Sequence, residues 1–173
     1  KRIRAQNFRA FGEGTVSPSL DWELSPGMNI LVGENDAGKT AVIDAIRQVL
    51  WTTSYEFVRL FETDFHISGA KRTTSLFIEA TLADLSPEQE AAVLEWLTHE
   101  ADGSRSLILY LQARWVPPQE NKRGRVDAVT RAGRDGAGPE IGSAVRELVR
   151  TTYLRPLRDA EAELRPGRQS RLS

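Results

Sequence analysis

At 173 residues, 40% apolar and 27% charged, the chain has the composition of an ordinary folded domain with one core, which excludes a disordered or low-complexity segment. A formal net charge of −1 gives no global pull toward nucleic acid or acidic membrane, so any such contact has to come from a local patch. The absence of cysteine excludes disulfides and thiolate metal sites. No signal peptide and no apolar stretch near the roughly 20 residues that cross a bilayer is present, so a cytoplasmic protein is expected.

In chain order, Lys1 to Phe8 alternates as a strand, and Leu20, Trp22 and Leu24 alternate with Asp21 and Glu23 as a second. Pro26-Gly27 then turns the chain into Met28-Asn29-Ile30-Leu31-Val32, an apolar run that reads as a buried strand. Next comes Gly33-Glu34-Asn35-Asp36-Ala37-Gly38-Lys39-Thr40, a match to G-x-x-x-x-G-K-[ST]. From Lys39 onward, Val42, Ile46, Val49 and Leu50 recur at helical spacing, so a helix starts at the loop with one face on a sheet.

That context gives the octapeptide its chemistry. A triphosphate is a dense anion, and backbone N–H groups converging at a helix start bind it with little reorganisation. Gly33 and Gly38 permit close backbone approach, while Asn35 and Asp36 tolerate left-handed conformation. Lys39 is expected to reach the β- and γ-phosphates of ATP, and the Thr40 hydroxyl to bind Mg²⁺.

Further along, Ser75–Leu82 and Leu107–Val116 are strand candidates rich in β-branched and aromatic residues. Between them Ser86 is a fitting N-cap, with Pro87 at the first helical position and Gln89 three residues after the cap. Val93, Trp96 and Leu97 form the expected apolar face of that helix, and His99 stands at its end. A polar hairpin-like connection, Pro117 to Gly124, leads to a returning strand at Arg125 to Thr130. Gly133 to Gly138 reads as a loose loop, and a short helix then turns Ile141, Val145, Leu148 and Val149 inward, before a buried-looking Thr151 to Leu154. The chain stops at Arg171-Leu172-Ser173 without a terminating pattern, so a fragment of a longer protein is expected.

A phosphate-loop ATPase normally also carries an acid at the end of an apolar strand, to hold Mg²⁺. The two long strand candidates end in Ala80-Thr81-Leu82 and Gln112 to Trp115, neither with such an acid; Asp44 lies on the helix and is a poor substitute. No LSGGQ-like signature occurs, so the sequence holds half of a nucleotide site. An α/β fold is expected, with a mixed sheet and an antiparallel subdomain around the loop helix.

Ile3 to Phe11 and Gly33 to Thr40 resemble the opening strand and phosphate loop of ABC-type heads in the SMC and RecF group. The loop, together with Tyr153 to Ala160 and Glu163 to Arg168, more closely resembles the OLD (overcoming lysogenisation defect) family. Asp36 departs from the SMC pattern, where glycine is usual. The resemblance implies the first lobe of a P-loop, ABC-type ATPase head spanning residues 1–173. It also implies a returning lobe with signature and acidic motifs, a dimerisation insertion and a Toprim nuclease elsewhere in the parent chain, with DNA as partner and a homodimer as assembly. A RecF- or SMC-like clamp without nuclease is the alternative, and a stand-alone P-loop kinase is a third reading.

In related heads an arginine at the place of Arg9 approaches the nucleotide; a solvent-facing role is the plain alternative. Arg158 and Asp159 fit either a coupling loop or a structural ion pair. Asp64 and His66 read as turn residues that approach Mg²⁺ or a neighbouring lobe, or are structural, and Gln112 belongs to a strand. Six basic residues against two acidic between Arg114 and Arg134, and five against three from Thr151 to Ser173, offer phosphate contacts or a solvated face. No base-stacking aromatic set is apparent in those stretches.

Overall fold

The structure, a computed structural model, describes residues 1–15, 19–35, 37–50, 59–119 and 123–151. Its centre is a six-stranded sheet. The order is β2 (Leu20–Glu23), β1 (Arg2–Gln6), β5 (Ser75–Leu82) and β7 (Arg105–Val116), with β6 (Leu97–His99) and β8 (Arg125–Ala132) both pairing with β7. β6 takes the Arg105 to Leu107 end of β7, and β8 takes Leu109 to Val116. A separate two-stranded ribbon joins β3 (Ile67–Ser68) to β4 (Lys71–Arg72).

Alternation puts one face of each strand inside. Ile3, Ala80, Leu109 and Ala132 lie in one cross-strand row of β1, β5, β7 and β8, with Ala5, Ile78 and Leu111 in the next. All seven are buried. Over this face lies α1 (Lys39–Val49), which buries Val42, Ala45 and Val49 and half-buries Ile46 and Leu50, the spacing the sequence indicates. Each buried Val or Ile contributes about 1.5–3 kcal/mol by leaving water.

The opposite face is polar and tied across strands. Arg2 donates to both carboxylate oxygens of Asp21, at 2.6 and 2.5 Å, and Arg4 Nη1 donates to Glu79 Oε1 at 3.1 Å. Phe77 and Tyr110 stack there with centroids 5.1 Å apart. Arg131 is the cross-strand partner of Tyr110, and it stands exposed on that face with Arg114. Of the arginines in the 114–134 stretch, Arg131 therefore has an aromatic neighbour, Tyr110, which lies outside the stretch.

Three expectations fail in instructive ways. All strand pairs among the described residues are antiparallel, and the apolar run 28–32 forms no strand. Met28, Ile30 and Val32 are 84%, 72% and 89% exposed. Extended backbone needs a neighbour for its N–H and C=O groups, and none of the described residues supplies one. The side chain of Asn29 instead closes the preceding turn, accepting from Ser25 N at 3.0 Å and donating to Ser25 O at 2.9 Å.

The second concerns the helix after Ser86. Its capping box forms as expected, with Ser86 N donating to Gln89 Oε1 at 2.8 Å and Gln89 N to Ser86 Oγ at 3.3 Å. Yet α2 ends after six residues (Pro87–Ala92), passes through a 3₁₀ turn at Leu94–Trp96 and becomes β6. His99 is thus a strand residue opposite Arg105 and ends no helix. The stretch Gly133 to Gly138 is not loose either: Gly138 N donates to Ala132 O at 2.8 Å and Gly136 N to Gly133 O at 3.1 Å. α3 (Ser143–Leu148) follows, with Ile141, Val145 and Val149 buried as anticipated. Thr151 is half-buried, and the rest of the buried-looking segment lies outside the described residues.

Glu100 fastens β6 to this turn, accepting from Arg134 Nη2 at 2.6 Å and Ser106 Oγ at 2.8 Å. These bonds, Arg134's first, hold its carboxyl below the ordinary glutamate value of 4.5. A depressed carboxylate contributes stability that is present above the unfolded value and lost as pH falls through the folded one. Glu100→Gln is therefore expected to lower the urea midpoint at neutral and alkaline pH and to flatten the acid limb below that value, where the two proteins converge.

Candidate functional site

The octapeptide loop leads directly into α1. Gly38 is the N-cap residue in left-handed conformation (φ 82°), which a Cβ would resist, and no side chain caps the helix. The first turn carries no acid, so the positive end of the helix faces outward unneutralised. Lys39 Nζ donates to two carbonyls of the loop itself, Gly33 O at 2.7 Å and Glu34 O at 2.5 Å. Its ammonium is thereby held within the concavity of the loop. Gly33, Glu34, Asn35, Ala37 and Thr40 are exposed along it, while Asp36 lies outside the described residues. Free helix-start amides, a cation over the loop and an exposed hydroxyl at Thr40 form a donor set suited to a polyphosphate with a divalent ion.

Arg9 sits next door, in a turn between β1 and the loop, and its guanidinium is engaged by two carboxylates. Nη1 makes a short hydrogen bond to Asp44 Oδ2, and Nε donates to Asp64 Oδ1 at 2.8 Å. Asp44 also accepts from Arg47 Nη1 at 3.1 Å, and Asp64 Oδ2 accepts from Phe61 N at 2.8 Å. Both acids are buried, and all four carboxylate oxygens have partners. Asp44 is therefore an ion-pair residue of the helix, in line with its poor standing as a metal acid.

The backbone around Arg9 is equally constrained. Arg9 N donates to Asp64 O, His66 N donates to Asn7 O, both at 2.8 Å, and His66 Nδ1 donates to Arg9 O at 2.7 Å. Asn7 (φ 58°) and Arg9 (φ 49°) both adopt left-handed backbone. That conformation costs an L-residue about 1–2 kcal/mol and persists only where surrounding contacts over-determine it. Asp64 and His66, legible in sequence only as turn residues, supply those contacts.

Among the described residues no group of three or more His, Asp or Glu is placed to hold a metal ion. None of their helices is long and apolar enough to cross a membrane. Arg158 and Asp159 lie outside the described residues.

A helix rising from a glycine-rich loop onto an antiparallel sheet gives the chain an α/β fold of the P-loop, ABC-type head kind. The AAA domain matches residues 2–127, and the chain belongs to that family. It is 29% identical over 92 residues to the DNA replication and repair protein RecF of Streptococcus uberis (strain ATCC BAA-854 / 0140J). That match covers 49% of this chain and 24% of RecF, so the chain spans only a minor part of that relative's length. A solved structure from work on ATP-driven dimerization and DNA-stimulated activation of SMC ATPases shares the fold, with a TM-score of 0.50. The likeness covers 86% of this chain and 75% of that one at 14% identity.

Proposed function

We propose that this chain is the nucleotide-binding lobe of an ATP-dependent DNA-processing protein. Gly33 to Thr40 take the polyphosphate of ATP, Lys39 supplies the charge, and Thr40 holds Mg²⁺, which neutralises the phosphate oxygens. The observation that carries this reading is the uncapped start of α1 with the Lys39 ammonium folded over the loop that precedes it.

The site is half of a catalytic one. The two long strands after the loop, β5 and β7, end without an acid, and the exposed run 28–32 presents alternate apolar side chains beside a cleft of 310 Å³ lined by Ile3, Leu24, Ile46, Leu50 and Leu82 among others. A second lobe of the parent protein covers this run, and a second protomer delivers the remaining catalytic groups. An OLD-type parent with a Toprim nuclease, and a RecF- or SMC-type clamp without one, require the same lobe; the RecF match supports the clamp. DNA contact through Arg114 and Arg131 fits either parent.

The test is titration of the purified chain with a fluorescent ATP analogue and Mg²⁺, followed by a turnover assay. Saturable binding with little or no phosphate release is expected. Robust turnover by this chain alone, abolished by Lys39→Ala, would overturn the half-site reading.

A further inference from the structure

The geometry points to Asp64 as a positioning residue for the phosphate loop, acting through the turn that bears Arg9; this rests on the nucleotide-binding reading of residues 33–40. Asp64 is only 3% exposed and grips the turn twice, through its carboxylate to Arg9 Nε and its carbonyl to Arg9 N. His66, two residues on, closes the other side with its ring on Arg9 O. Arg9 then reaches Asp44, so the turn is tied to α1 as well.

The end of that turn is the floor of the loop. A Cβ built on Gly38 would lie 3.7 Å from Ala10 Cβ and 3.6 Å from Phe11 Cζ, so both residues are in contact range of the left-handed N-cap. The backbone through Asn7 and Arg9 is strained and relaxes if its grip is lost. Residue 64 therefore governs where Ala10 and Phe11 sit, and they in turn support the conformation that aims the first amides of α1. A buried ion pair with no such reach would affect stability alone.

Asp64→Asn separates the two roles, because it keeps the shape of the side chain and removes its charge. The control is Asp21→Asn, which breaks another Arg–Asp pair, on the polar face of the sheet. Dissociation constants for the fluorescent MgATP analogue are measured at a temperature where circular dichroism shows each protein fully folded. Asp64→Asn is expected to weaken binding about tenfold, and Asp21→Asn to leave it unchanged.

Phe11→Leu, at a half-buried site further along the same path, is expected to weaken binding too, and serves if Asp64→Asn does not fold. A wild-type dissociation constant in folded Asp64→Asn, or in Phe11→Leu, overturns the inference. Equal binding by Lys39→Ala and the wild-type chain, or no binding by either, overturns instead the nucleotide reading on which it rests.

Discussion

Lys39→Ala is expected to weaken MgATP binding by tenfold or more while leaving the melting temperature nearly unchanged. The Lys39 ammonium is held by Gly33 O and Glu34 O, two carbonyls of an exposed loop, and no carboxylate is placed with it by the described contacts. Truncation therefore leaves only carbonyls that water can satisfy, and the folded state loses little. A bound polyphosphate would lose much more, because a charge-assisted hydrogen bond is worth roughly 1.5–3 kcal/mol and each 1.4 kcal/mol is about tenfold. Paired titration and thermal melts check both halves of the expectation. A large fall in melting temperature with unchanged affinity would mark the lysine as a loop staple instead.

Phe8→Ala is expected to act chiefly on stability, removing about 3–5 kcal/mol. Phe8 is fully buried, bridges by its backbone to Phe11 and Phe65, and lies beneath the Arg9 guanidinium, 5.5 Å from its ring centroid. A cavity there opens directly under the turn that supports Gly38. Since a domain of ordinary stability holds about 5–15 kcal/mol, the variant loses roughly a fifth or more of the total. Urea midpoints at constant m-value measure the loss, and Phe8→Leu, which refills most of the volume, should recover much of it.

Much of the architecture is legible from local pattern. Ser75–Leu82 is a strand with the boundaries its composition indicates, and the Ser86 capping box forms atom for atom. What pattern cannot supply is the partner. Val93, Trp96 and Leu97 keep helical spacing, but Leu97 pairs with Leu107, and that non-local contact turns the segment into β6. The run 28–32 reads as a buried strand for the same reason and stands exposed because nothing among the described residues pairs with it.

The candidate site divides likewise. The loop and its helix are contiguous in sequence, so both could be read. The clamp on Arg9 is made by residues 35 and 55 positions away, each of a type that turns and helices contain routinely, and no local signal marked them as its partners.

The pairing of β1 with β5 bears on how the molecule assembles. Arg4 and Glu79 are 75 residues apart in sequence, and the segment between them contains the phosphate loop and α1. Closing so long a loop is entropically costly before its contacts repay it, and antiparallel sheets of such high contact order fold slowly. A ribosome releasing this chain from its N-terminus delivers the loop and its helix well before β5 or β7 exists to receive them. Nucleotide is therefore no template for early folding: the loop gains its floor at Ala10 and Phe11 only once Asp64 and His66, far along the chain, have closed on the turn at Arg9.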